Sequence, residues 1–212
     1  MPTPKLTKII IEILLIHISN SMLPERIFFT GVPGSRWSGI AQILETIPEF
    51  NTSDRTPERT YDHHSYTGHK GAYFGWGMEF EPLINFVGKQ HIDQAWIELG
   101  GTRLVKSHQW PDKFDEIEKH YPDDWIMLVY RPDMASFAWW HEAGGFQIQY
   151  PSYKWYKDSN DMLHEISRNN KLMLEYACQK RARWEYFTTE WIYENFGYTI
   201  EVPQVHSDIL VT

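Results

Sequence analysis

From residue 26 onward, short and nearly continuous apolar runs alternate with longer amphipathic stretches. RIFFT, Arg26 to Thr30, is the first such run; a glycine-rich turn follows it, and then Ile40, Ala41, Ile43 and Leu44 recur at helical spacing. A run without the polar alternation of a half-exposed strand fits a strand buried on both faces. TRLVK, ending at Lys106, is the second of these and WIMLVY, residues 125 to 130, the third. Pro82 to Leu99 carries Leu83, Ile84, Phe86, Val87, Ile92, Ala95, Trp96 and Leu99 near helical spacing and stops at Gly100-Gly101. Helices are also predicted from Pro111 to His120, from Asp133 through Trp140, and from Asn160 to Gln179. RWEYF then reads as a short strand, and Thr188 to Phe196 as a last helix closed by Gly197. Buried strands alternating with helices predict an α/β fold, a three-layer α/β/α arrangement around a central parallel sheet.

Residues 51 to 78 break the pattern. They are rich in Asn, Thr, Ser, Asp, Gly and His without a sustained period, which predicts a long functional loop or lid. The chain's 212 residues fit one domain, expected over 22–212, with residues 1–21 as an N-terminal extension. Within that extension KIIIEILLIHI is interrupted by Glu12 and His17 and is too short to span a bilayer.

Composition narrows the function. A formal net charge of -8 argues against a general binder of nucleic acid or anionic membrane, so any anion site must be local. The single cysteine, Cys178, sits in an apolar helical pattern and is expected to be a small buried residue. One cysteine forms no internal disulfide, and a reducing, cytoplasmic compartment is the expectation. Aromatic residues make up 16% of the chain, including 10 Trp, enough to supply stacking surfaces for a ligand as well as a core.

Ligands of open α/β sheets bind beyond the carboxyl ends of the strands, and three polar segments follow predicted strands. In GVPGSRWSG, Pro33, Gly34, Ser35, Arg36, Trp37 and Ser38 occupy a strand-to-helix turn whose backbone N–H groups and helix dipole suit an anion such as a phosphate. The Lys-Ser/Thr pair of the nucleotide-hydrolase loop is absent, and Arg36 supplies a cation instead. The same residues also read as a tight turn capped by Ser35. In LVKSHQWP, Lys106 and His108 occupy alternate positions and face one way, bringing together a cation and a base. In VYRPDMASFAWW, Arg131 leaves a buried strand and Ser136 follows in the next helix. Both could meet a second phosphate; equally, Asp133 could cap the helix and Arg131 pair with a carboxylate.

Taken in order, the three segments resemble the sulfotransferase family, which uses 3'-phosphoadenosine 5'-phosphosulfate as sulfuryl donor. The loop resembles the Gly-Val-Pro-Arg-Ser-Gly-Thr-Thr form of tyrosylprotein sulfotransferases, and Lys106-Ser107-His108 resembles the Lys-Thr-His of the cytosolic enzymes. The resemblance covers residues 26 to 145 and implies a nucleotide-hydrolase-like fold. It assigns residues 33 to 38 to the 5'-phosphosulfate, Arg131 and Ser136 to the 3'-phosphate, Lys106 to the leaving group and His108 to the acceptor's proton. The sequence departs from the family at Gly34, which replaces a basic residue, and at Arg36, which replaces a glycine, so the cation has moved within the loop. The interval from Arg131 to Ser136 is also short, and no late Arg-Lys-Gly loop follows. Asp54, near the position of the tyrosylprotein enzymes' base, is a second candidate for that role.

The implied acceptor is a small molecule, glycan or phenol bearing a hydroxyl, with no nucleic acid partner and no metal. Two other classes are open: a nucleotide-dependent kinase, and a non-catalytic module binding a nucleotide or glycan. His63, His64 and His69 lack zinc-ligand spacing and read as acceptor contacts, while YFGWGMEF, Tyr73 to Phe80, offers aromatic walls.

Overall fold

The structure, a computed structural model, describes residues 23–61, 69–75, 92–148, 156–203 and 208–211. Its centre is β1 (Arg26–Gly31), in which every residue is buried. Parallel ladders join β1 to β4 (Arg103–Lys106) on one side and to β5 (Trp125–Tyr130) on the other, with Phe29 opposite Lys106 and Gly31 opposite Val129. β6 (Arg183–Tyr186) and β7 (Asp208–Val211) complete a five-stranded sheet in the order β4-β1-β5-β7-β6. A separate antiparallel pair joins β2 (Thr60–Tyr61) to β3 (His69–Lys70).

Alternation along β1 sorts its side chains into two cores. Ile27 and Phe29 pack with Trp37, Ile40 and Leu44 of α1 (Trp37–Leu44) and with Trp191 and Ile192 of α5 (Thr189–Phe196). Phe28 packs with Trp110, with Ile117 of α2 (Phe114–His120), and with Met162, Ile166 and Met173 of α4 (Ser159–Lys180). Each fully buried side chain of this size contributes roughly 1.5–3 kcal/mol. The strand that feeds the glycine-rich turn is therefore anchored on both sides. α3 (Asp133–Glu142) follows β5 and packs chiefly on α4.

The polar residues at the amino end of the sheet are matched. Arg26, 1% exposed, donates to Glu25, Asp93 and Asp124, and Arg103 pairs with Glu25 and Asp93.

The mixed α/β class is as expected, but the sheet is parallel only at its centre. β7 inserts antiparallel between β5 and β6, so β6 runs in the direction of β5 without bonding to it. DILV, four residues after a long polar connection, carries too little pattern to announce this. Cys178 is exposed rather than buried. The buried stripe of α4 runs through Met162, Ile166, Asn169, Asn170, Met173, Tyr176 and Ala177. Cys178 follows that stripe by one residue, about 100° further round the helix. Among the described residues no helix is long and apolar enough to cross a membrane. The expected extension 1–21, most of the Pro82–Leu99 helix and most of Tyr73–Phe80 lie outside the described residues.

Candidate functional site

Val32 to Arg36 turns tightly between β1 and α1, with the Ser35 N–H donating to the Val32 carbonyl at 3.0 Å. Gly34 has φ +79°, and a Cβ there would stand 1.8 Å from the carbonyl oxygen of Ser136 on α3. This close approach accounts for the glycine: a basic side chain at 34 would have to pass through the backbone of α3. Arg36 sits at φ 67°, ψ 16°, a left-handed conformation that costs a residue with a Cβ about 1–2 kcal/mol. The cation thus occupies the loop's other left-handed position, where a glycine would fit without strain.

No side chain caps α1, and its first turn contains no acid. Ser35, read as a candidate cap, is buried without capping. The amino-terminal N–H groups of α1, which precede the first intrahelical bonds, are available to an anion.

His108 faces this loop. Its Nδ1 is hydrogen-bonded to the carbonyl of Gly31, and its ring packs on Trp37 with centroids 4.2 Å apart. Burial lowers the imidazole pKa to about 4, against weaker opposing pulls from the Gly31 carbonyl and Glu165. The ring is therefore neutral at pH 7. Because a carbonyl only accepts, Nδ1 carries the hydrogen, and Nε2 keeps its lone pair with no partner among the described residues.

Arg131 reaches the same loop from the end of β5. Its Nη1 donates to the Gly34 carbonyl at 3.2 Å. The guanidinium groups of Arg36 and Arg131 lie over one indole, that of Trp139, at 4.6 and 5.5 Å from its centroid. Among the described residues neither arginine forms an ion pair, whereas Arg26, Arg55, Arg103 and Arg168 all do. Burial, followed by the neighbouring Arg36, lowers the pKa of Arg131, and Glu142 partly offsets this. Asp133 does not cap α3: its carboxylate accepts from Ser167 and Asn170 of α4. Asn170 also donates to the Arg131 carbonyl, as does the hydroxyl of Ser136. Ser136 is fully buried, and its hydroxyl secures the backbone of Arg131. Asn170 and Ser167 were missed in the sequence, where an amide and a hydroxyl on a long helix carry no distinguishing spacing.

Lys106 lies in a different cluster. It is fully buried and donates to Glu45 at 2.6 Å and to the Lys70 carbonyl at 2.7 Å, with its ammonium 4.8 Å from the ring centre of Tyr73. Glu45 also pairs with Arg55. Asp54, 1% exposed, accepts from the Ala72 N–H, while its other oxygen has no hydrogen-bond partner. Burial raises the pKa of Asp54, and Lys106 partly counters this. Contacts from Lys106 to His108 run through Tyr73 and Trp37. The two residues lie on the same side of the sheet, as their spacing predicts, but the ammonium is taken up by Glu45 and does not face the loop.

The structure thus brings together residues 31 to 38, His108 and Arg131, with Ser136 as a support beneath them. It places Lys106 and Asp54 in a neighbouring buried cluster. Among the described residues no group of three or more His, Cys, Asp or Glu could hold a metal. His63 and His64 lie outside those residues. The chain matches no family model, no curated protein and no solved structure.

Proposed function

We propose that the chain is a sulfotransferase, with a P-loop-like three-layer fold, that moves a sulfuryl group from 3'-phosphoadenosine 5'-phosphosulfate to an acceptor hydroxyl. One observation carries this reading: Arg36 and Arg131, which form no ion pair among the described residues, share the Val32–Trp37 turn with a neutral imidazole whose Nε2 has no partner among those residues. An uncapped helix start and two cations suit a donor with several negative charges. A base beside them suits removal of a proton from a nucleophile.

In this reading Nε2 of His108 takes the hydroxyl proton as the acceptor oxygen forms its bond to sulfur. The bond from sulfur to the bridging phosphate oxygen breaks, and the electron pair leaves with 3'-phosphoadenosine 5'-phosphate. Charge grows on that leaving phosphate, where Arg36 and the N–H groups at the start of α1, those of Trp37 and Ser38, stabilise it. Arg131, held by Ser136 and Asn170, serves the donor's 3'-phosphate. Lys106 supports the site at one remove, through Tyr73 and Trp37, rather than by direct contact with the leaving group. A kinase reading lacks support in the loop, which has no Lys-Ser/Thr pair to hold a metal-bound triphosphate.

The test is transfer of labelled sulfate from this donor to a panel of phenols, glycans and aliphatic alcohols. The reading predicts transfer to at least one hydroxyl class, reduced at least a hundredfold in His108→Ala. Donor binding with no transfer to any class would favour a binding module.

A further inference from the structure

Trp139 stands about one turn beyond Ser136 on α3, half-buried, with both guanidinium groups over its ring. Two like charges placed side by side repel, and elsewhere in this molecule buried arginines are held by carboxylates, as Arg26 is by Asp93 and Asp124. A carboxylate would cancel the charge and compete with any incoming anion. An indole face attracts a cation through its quadrupole and leaves its net charge uncancelled. The strained backbone of Arg36 and the bond from Arg131 to Gly34 bring the two groups to that ring from different elements.

We propose that Trp139 is a positioning residue that holds Arg36 and Arg131 together as one anion clamp, selective for a ligand carrying two or more negative charges. This deepens the sulfotransferase reading and rests on it for the identity of the natural ligand. The clamp itself is defined by the three side chains and is tested separately.

The probes are inorganic pyrophosphate and 3'-phosphoadenosine 5'-phosphate, titrated by calorimetry into the full chain without metal. Each cation–π contact is worth about two- to fivefold in affinity, so Trp139→Leu should weaken both probes about tenfold and Trp139→Phe about threefold. The loss should disappear when Trp139→Leu or Trp139→Phe is made in an Arg36→Gly, Arg131→Ala background, since Trp139 then has nothing to position. A merely structural role predicts an unchanged loss in that background and would overturn the proposal. Equal binding of both probes by wild type and Trp139→Phe, combined with undiminished binding by Trp139→Leu, would also overturn it. If Trp139→Leu does not fold, the Trp139→Phe cycle decides by the same criterion. Binding of pyrophosphate but not of the nucleotide would support the clamp and count against the sulfotransferase reading. Binding of neither would overturn both.

Discussion

Nδ1 of His108 is bonded to the carbonyl of Gly31, the residue at which β1 passes into the glycine-rich loop. The strand end that begins the loop therefore also sets the tautomer of the candidate base and leaves the lone pair on Nε2. Above pH 6.5 His108 is neutral in both folded and unfolded chains and contributes no pH dependence. Between about 6.5 and 4 the unfolded chain takes up a proton that the folded one refuses, so stability falls as the pH falls. Urea denaturation at pH 7 and pH 4.5 should show a smaller loss in His108→Gln than in wild type. The acid limb of kcat/KM should centre well below 6.5, near 4; a limb at 6.5 would mean an imidazole with ordinary solvation.

Arg36→Gly separates folding from binding. Glycine accepts φ 67° without the Cβ penalty, so the variant should be as stable as wild type or more stable, by up to about 1–2 kcal/mol. It also removes a cation, and the loss of one charge-assisted contact should weaken 3'-phosphoadenosine 5'-phosphate by about ten- to a hundredfold. A thermal melt and a titration on the same preparation check both. A lower melting temperature would show that the arginine is there for the fold.

Gly34→Ala should have the opposite profile. Its Cβ would meet the Ser136 carbonyl at 1.8 Å, an obstacle of backbone rather than of a side chain that can move aside. Destabilisation of several kcal/mol is expected, of the order seen for overpacking added to backbone strain. A loss below about 0.5 kcal/mol, within the range of neutral surface changes, would show that the loop and α3 are not in contact.

Lys106→Met tests the placement of that lysine. Removing one partner of a buried ion pair costs about 3–5 kcal/mol because the remaining charge is left buried. Here Glu45 keeps Arg55, but Asp54 loses the cation that most strongly opposes the effect of its burial. The folded carboxyl of Asp54 already holds its proton more tightly than usual, and without Lys106 it should do so more strongly. Such a group gains stability as the pH falls, so part of the loss should return as the pH is lowered from 7. A variant of wild-type stability with a slowed reaction would instead place Lys106 at the chemistry.

Much of the fold was legible because burial on both faces leaves uninterrupted apolar runs: β1, β4 and β5, and the loop and helix after β1, lie where the pattern puts them. β7 escaped because four residues on an antiparallel insertion carry no period, and with it went the direction of the sheet's far half. In the site, GVPGSRWSG, His108 and Arg131 could be read as separate pieces with polar residues at strand ends. Their convergence could not, since it depends on β1 lying between β4 and β5. The surroundings of Lys106 were hidden for a related reason. Spacing gives the face on which a side chain lies, but not whether Glu45, 61 positions earlier, already holds its charge.

The most direct test is calorimetric titration of 3'-phosphoadenosine 5'-phosphate and of ATP into the wild-type chain in the presence of a chelator. The bisphosphate should bind without metal and more tightly than ATP, and Arg131→Ala should lose most of that preference. Failure of the bisphosphate to bind, or tighter binding of ATP once magnesium is added, would contradict it.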